Sequence, residues 1–275
     1  MGKFDGILLV TDLDGTLLRD DKSISAENIR AIEYFESEGG LFSFVTGRPP
    51  IAMGPVLEQL RPKIPIGCLN GAGVCDMNTG DYIAKVPLSR DAMSLVNYAY
   101  ERMPTVGFEF VTFDNSYLYL ANEVIEELRE FERLPDNYIK SFDEVKGELC
   151  KILFADREEH MEALMATLQA NPESQKYNFV CSSKEYYELL PKEAHKGVCV
   201  RELVKYLGIS PQKTVAVGDN SNDVLMLREA ALGIAVLNAS SDAKEAADVV
   251  LDVTNEQHAI ANIISRLDDG TLSLE

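Results

Sequence analysis

The chain has 275 residues, 46% of them hydrophobic and 26% charged, with a formal net charge of −19. A domain takes about 100–200 residues, so two modest domains are expected, and the composition is that of a globular protein with ample core, which excludes a disordered chain. The acidic balance, with Lys and Arg scattered, argues against a nucleic-acid partner, because polyanion binding needs a surface that neutralises phosphates; a phosphate ligand in a cleft stays open, since a divalent cation and one or two local cations reverse the field there.

The start, MGKFDGILLVTDLD, meets acids too soon for a signal peptide or a membrane span, so no membrane partner is expected and a cytoplasmic location is. Gly6-Ile-Leu-Leu-Val-Thr11 is a continuous apolar run, as in a strand covered on both faces of a parallel sheet. Ser25 to Glu38 reads as a helix with Ser25 as N-cap, apolar Ile29, Ile32 and Phe35 at helical spacing, and Gly39-Gly40 to stop it. A strand is expected over 41–45, a turn at Thr46-Gly-Arg-Pro-Pro50, a helix over 51–60, and a strand over 66–69 that ends at Asn70-Gly71.

From residue 89 the rhythm changes. Helices are expected over 89–102, 123–133 and 158–170, and strands over 107–113, 117–120, 149–155, 177–181 and 186–190, with a long loop over 134–147. Paired strands between helices predict a mixed or antiparallel sheet with helices on one face. The β-α alternation then resumes: helix 198–207, strand 214–217 ending in Gly218-Asp219, helix 221–229, strand 232–236 and helix 242–247. The expected fold class is therefore α/β, a doubly wound parallel-sheet (Rossmann-like) core made of residues 1–82 and 192–275, with an inserted α+β domain over 83–191. Five cysteines, odd in number and without a C-x-x-C pair, read as reduced, mostly buried thiols.

In an open parallel sheet, ligands bind beyond the carboxyl ends of the strands. Four strand ends here carry polar residues: Asp12 and Asp14; Thr46; Asn70; and Asp219 with Asn222 and Asp223. If these converge, several carboxylates meet a hydroxyl and an amide, an arrangement that repels itself without a hard divalent cation, and octahedral oxygen ligation suits Mg²⁺. A D-x-D-G-T turn alone could be only a polar turn, and an EF-hand loop fails because its sixth position, which needs Gly, is Leu17.

Asp12-Leu-Asp-Gly-Thr-Leu-Leu18, Thr46-Gly-Arg48, Lys196-Gly197 and Gly218-Asp-Asn-Ser-Asn-Asp223 stand in the order and spacing of the four motifs of the haloacid dehalogenase-like (HAD) superfamily, which the chain resembles over nearly its whole length. Asn70-Gly71-Ala72 and the long insertion resemble its Cof-type branch, with a large α/β cap. The resemblance implies a Mg²⁺-dependent phosphatase of small phosphorylated metabolites, hexose phosphates first, in which Asp12 attacks phosphorus to form an aspartyl-phosphate. It implies that Asp14, raised in pKa, protonates the leaving oxygen and then deprotonates water, with Thr16 fixing Asp14. By the same resemblance Mg²⁺ lies between the Asp12 carboxylate, the Asp14 backbone carbonyl and the Asp219 carboxylate; Asp223 orients a metal water or Lys196; and Thr46, Gly47, Lys196 and Asn222 hold the transferring oxygens.

Other residues carry weaker signals. His195 reads as a partly exposed neighbour of Lys196, and Arg48 as a phosphate contact or an acid's partner. Tyr186, Tyr187, Phe108, Phe110 and Phe113 read chiefly as core of the insertion. Asn255-Glu-Gln-His-Ala departs from the Asn-x-Asp-Gly expected in close relatives. Two competing functions remain, a hexose phosphomutase and a non-catalytic phosphometabolite-binding module, and a monomer or homodimer is expected.

Overall fold

The computed structural model describes residues 2–274. In chain order its elements are β1 (Leu8–Thr11), α1 (Ala26–Ser37), β2 (Leu41–Phe44), α2 (Gly54–Leu57), β3 (Ile66–Cys68), β4 (Gly73–Cys75), β5 (Tyr82–Lys85), α3 (Met93–Arg102), β6 (Gly107–Thr112), β7 (Ser116–Tyr119), α4 (Glu123–Glu132), β8 (Tyr138–Ile139), β9 (Leu149–Ala155), α5 (Glu158–Gln169), β10 (Tyr177–Ser183), β11 (Tyr186–Pro191), α6 (Lys196–Leu207), β12 (Thr214–Gly218), α7 (Val224–Glu229), β13 (Leu232–Ala235), α8 (Ser241–Ala246), β14 (Val249–Val250) and α9 (Ala259–Asp268). They form two compact units: the residues through Gly47 with Gly54–Ala84 and those from His195, and Arg48–Met53 with Lys85–Ala194.

The first unit is built on a parallel sheet of order β14-β13-β12-β1-β2. Leu8, Leu9 and Val10 are wholly buried, as are Val215, Ala216 and Val217 beside them, which is why these strands show no polar alternation. Ser25 caps α1 by accepting from Asn28 N–H at 3.2 Å. Helices α1 and α9 pack together, and α7 packs against both α6 and α8. The chain leaves β1 toward β2 on one side and returns as β12 on the other, so the strand order reverses at β1, where an open sheet forms its ligand crevice. A separate sheet, β3-β4-β5, includes two strands that no sequence pattern announces, and α9 is likewise an addition. The helix expected over 51–60 is broken: a 3₁₀ turn at Pro50–Ala52 precedes the four-residue α2, with Gly54 and Pro55 at the break.

The second unit carries a six-stranded sheet of order β10-β11-β9-β6-β7-β8, antiparallel except for β7 with β8. One face, with Phe108, Phe110, Ile152, Phe154, Tyr187 and Leu189, packs on α3 and α5. The expectation of helices on one face only is corrected here. Leu118, Leu153 and Ala155 on the opposite face pack against Val124, Ile125 and Leu128 of α4, an amphipathic helix whose apolar stripe needs its own cover. That face also buries Lys151, bonded to Glu188 at 3.2 Å, and Glu109, which accepts from Ser116 Oγ. Phe113 is also buried, whereas Tyr186 is only partly so and lies against the α4 cluster. None of the five cysteines is in a disulfide; four are buried and Cys181 is exposed. Among the described residues no helix is long and apolar enough to cross a membrane.

Candidate active site

The sheet's carboxyl edge brings motif residues from distant parts of the first unit together. Asp12 lies just past β1 and is tied to β12 by its N–H, which donates to Val217 O at 2.9 Å. Lys196 opens α6 and is 1% exposed; its Nζ lies 2.7 Å from Asp12 Oδ1 and 2.6 Å from Asp223 Oδ1. Close packing aims it there. Gly71, at φ +102°, presses against the backbone before Lys196 so tightly that a Cβ would fall 2.1 Å from His195 O. Asp223 is wholly buried and fully engaged: while Oδ1 takes Lys196, Oδ2 accepts from Asp219 N–H at 2.9 Å and Asn220 N–H at 3.0 Å. This carboxylate shapes the loop that carries Asp219, and Gly218 makes room for it.

Thr16 departs from its expected place. Its hydroxyl donates to Asp219 Oδ1 at 2.8 Å rather than fixing Asp14. The cause is the turn at Gly15, which at φ +80° carries the chain so close over Asp219 that a Cβ there would lie 2.5 Å from Oδ2. Asp14 instead has its carboxylate 40% exposed and bonded to Lys22 Nζ at 2.9 Å. Asn238, whose Nδ2 donates to Gly15 O at 2.8 Å, and Asn255, whose Nδ2 donates to Leu18 O at 3.0 Å, brace this loop from the C-terminal segment. Neither bond is visible in the spacing.

Thr46 is 1% exposed, and its carbonyl accepts Asn70 N–H at 3.1 Å. Asn70, in the left-handed region at φ +50°, lies so near Gly47 that a Cβ on Gly47 would sit 2.8 Å from its Nδ2. Asn70 Oδ1 in turn accepts from Asn222 Nδ2 at 3.0 Å, which joins the β2, β3 and β12 ends. Asn222 Oδ1 is buried without a hydrogen-bond partner, and so is His195 Nδ1. Burial holds the His195 ring below the usual histidine range. Arg48 falls in the second unit, where its guanidinium lies 5.6 Å from the Phe131 ring centre.

Carboxylate oxygens of Asp12, Asp219 and Asp223 lie within 4.8 Å of one another. Three carboxylates against the Lys196 ammonium leave two negative charges uncompensated, and every donor is a hard oxygen, so the set fits a divalent cation. Burial pushes the Asp12 carboxyl well above the usual carboxylate range; Lys196 opposes the rise, while Asp223 and Asp219 add to it. Burial would lower the Lys196 ammonium, but Asp12 and Asp223 outweigh it and hold it above its ordinary value. Burial and then Asp223 push Asp219 up to about 6, against the Thr16 bond and Lys196, which lower it.

Asp219 makes stability depend on pH. Between the ordinary aspartate value of 3.8 and about 6, the folded state holds a proton that the unfolded chain has lost. In chelator, stability should therefore fall by on the order of 2 kcal/mol as pH rises through this window, and stay low above it. A cation that needs ionised carboxylates should raise the thermal midpoint above pH 6 and leave it unchanged below about pH 4. Thermal scans from pH 4 to 8, with EDTA and with Mg²⁺, test this; a flat profile in EDTA would refute it.

A family model for haloacid dehalogenase-like hydrolases matches residues 9–264. The chain belongs to that family. This hydrolase is 31% identical over 270 residues to YxeH of Bacillus subtilis (strain 168), provisionally named a phosphatase, with 94% of this chain and 97% of the relative covered. It is 25% identical over 272 residues to YitU of the same organism, named a 5-amino-6-(5-phospho-D-ribitylamino)uracil phosphatase, covering 94% and 96%. Among solved structures, TM0651 from Thermotoga maritima superposes with a TM-score of 0.78 at 26% identity, covering 98% of each chain.

Proposed function

We propose that this hydrolase is a phosphatase of small phosphate monoesters, sugar phosphates foremost, and that it works through an aspartyl-phosphate on Asp12 with Mg²⁺ as cofactor. The observation that carries the reading is the buried Asp12 carboxylate, held by Lys196 at 2.7 Å at the carboxyl edge of the sheet with Asp219 and Asp223 beside it. A buried, fixed carboxylate next to an ammonium is a preorganised nucleophile for an anionic ester.

In the first step an Asp12 oxygen bonds to phosphorus as the ester P–O bond breaks, and Asp14 gives its proton to the departing oxygen. In the second, Asp14 takes a proton from water as that water attacks the phosphorus, which frees Asp12 and releases inorganic phosphate. The Thr46 hydroxyl, the Gly47 N–H, the Asn222 side-chain amide and Lys196 hold the phosphoryl oxygens through transfer. Asp12 and Asp219, with the Asp14 backbone carbonyl, would hold Mg²⁺, and Asp223 orients Lys196 and the loop behind Asp219. Bound there, the ion supplies the positive charge that lets an anionic nucleophile approach an anionic phosphate. The relative named for a phosphorylated ribityl compound supports a polyhydroxylated leaving group.

The test is phosphate release from a panel of sugar phosphates, nucleotides and cofactor phosphates, with Mg²⁺ and with EDTA. Release from sugar phosphates that EDTA lowers by about 100-fold or more is the expected result. Conversion of a hexose 1-phosphate to its isomer without free phosphate would identify a mutase instead. Tight binding of the panel without turnover would identify a binding module.

A further inference from the structure

The turn between the first motif and α1 carries a strained lysine. Lys22 N–H donates to Arg19 O at 2.9 Å, and Arg19 N–H donates to Ser23 O at 3.0 Å. Lys22 itself sits at φ +64°, in the left-handed region that favours Gly or Asn. A conformation of this kind persists where the surroundings impose it. Gln59 holds the turn here: its Nε2 donates to Lys22 O at 3.1 Å and its Oε1 accepts from Ile24 N–H at 2.8 Å, which clamps the chain on both sides of Ser23.

The turn folds Lys22 back over the motif loop, so that its Nζ donates to Asp14 Oδ1 at 2.9 Å. Both side chains are 40% exposed, and an ion pair so open to water adds little to stability. The stability gained from this ion pair therefore does not account for the strained backbone that carries it. Control of Asp14 does. A half-exposed carboxyl turns about two side-chain bonds, whereas proton transfer to a leaving oxygen needs it within hydrogen-bond reach and correctly aimed. A lysine bonded to Oδ1 restrains both rotations and leaves Oδ2 as the oxygen that carries the proton.

We propose that Lys22, clamped by Gln59, is the positioning residue for Asp14, holding its carboxyl in the orientation that delivers a proton to the leaving oxygen. This rests on Asp14 being the acid and base of the proposed reaction. An alkoxide leaving group needs that proton, while p-nitrophenolate departs without it. The effect should therefore depend on the leaving group.

Lys22→Gly removes the ammonium and keeps the left-handed turn, so its thermal midpoint should match or exceed that of the wild type. The measurement is kcat/KM, which reports steps through leaving-group departure, for a sugar phosphate that the wild type hydrolyses and for p-nitrophenyl phosphate. Lys22→Gly should lower the first by about 10- to 100-fold and the second by less than about threefold, and Lys22→Arg should recover most of the loss. Equal losses on both substrates, or no loss on the sugar phosphate, would overturn the proposal. Asp14→Asn, run in parallel, separates the two readings. A leaving-group split in Asp14→Asn but not in Lys22→Gly sinks the role of Lys22 alone; no split in Asp14→Asn sinks the acid–base reading, and the role of Lys22 with it.

Discussion

Asp12→Asn should fold, and should lower phosphate release by roughly 10⁴-fold or more. The substitution keeps the shape of the side chain but replaces the carboxylate proposed to attack phosphorus by an amide that cannot accept the phosphoryl group. The fold should tolerate it because Lys196 retains Asp223 at 2.6 Å and is not left as an unpaired buried cation. One of three crowded carboxylates is also removed, so in chelator the thermal midpoint should hold or rise. The Mg²⁺-induced rise in midpoint should shrink, since one of the two carboxylates assigned to the ion is gone. An acid quench during turnover with ³²P-labelled substrate should trap label on the wild-type chain and none on the variant. Activity within tenfold of the wild type, or label retained by the variant, would remove Asp12 as nucleophile.

Strand ends are the legible part of the site. Continuous, short, β-branched apolar runs such as Leu8–Thr11 and Thr214–Gly218 read as strands buried on both faces, and a parallel sheet sets the residues just past such strands along one edge. Short, strained or Pro-interrupted pieces are not legible. The β4 strand has three residues and no alternation, α2 begins only at Gly54-Pro55 and runs four residues, and β8 is a two-residue pairing inside an expected loop. The α9 helix does carry Ile260, Ile263 and Ile264 at helical spacing, but its N-cap, His258, sits at φ +59° and offers none of the usual start signals.

Within the site, the contacts that escape the sequence depend on which way a turn faces. Thr16 is two residues from Asp14, yet its hydroxyl meets Asp219, 203 positions away, because Gly15 turns the chain over. Lys22 is eight residues from Asp14 and meets it only through a left-handed turn that no periodicity encodes. Residue types at strand ends announce a chemistry; backbone angles between them decide which partners it has.

Lys196→Met carries the largest expected loss of stability. The ammonium is 1% exposed and is shared between two buried carboxylates, so its removal leaves the nearly buried Asp12 and Asp223 facing each other. Breaking a buried pair in this way costs about 3–5 kcal/mol, which for a chain of this size is roughly a 10 °C drop in thermal midpoint. The sign of the pH dependence distinguishes this cause from simple loss of packing. Burial already raises the Asp12 carboxyl and Lys196 opposes the rise, so without the lysine Asp12 would hold its proton in the folded state still further above the ordinary aspartate range. Lys196→Met should thus lie close to the wild type near pH 4, and its deficit should grow as pH rises toward 7. A deficit independent of pH would point to lost side-chain volume instead. Adding Asp12→Asn to Lys196→Met should recover part of the stability, because one of the two facing charges is gone, while activity stays absent. Recovery of that kind, with no turnover, would mean that the charges gathered around Asp12, the proposed nucleophile, are a net burden on the fold, offset by a single buried lysine.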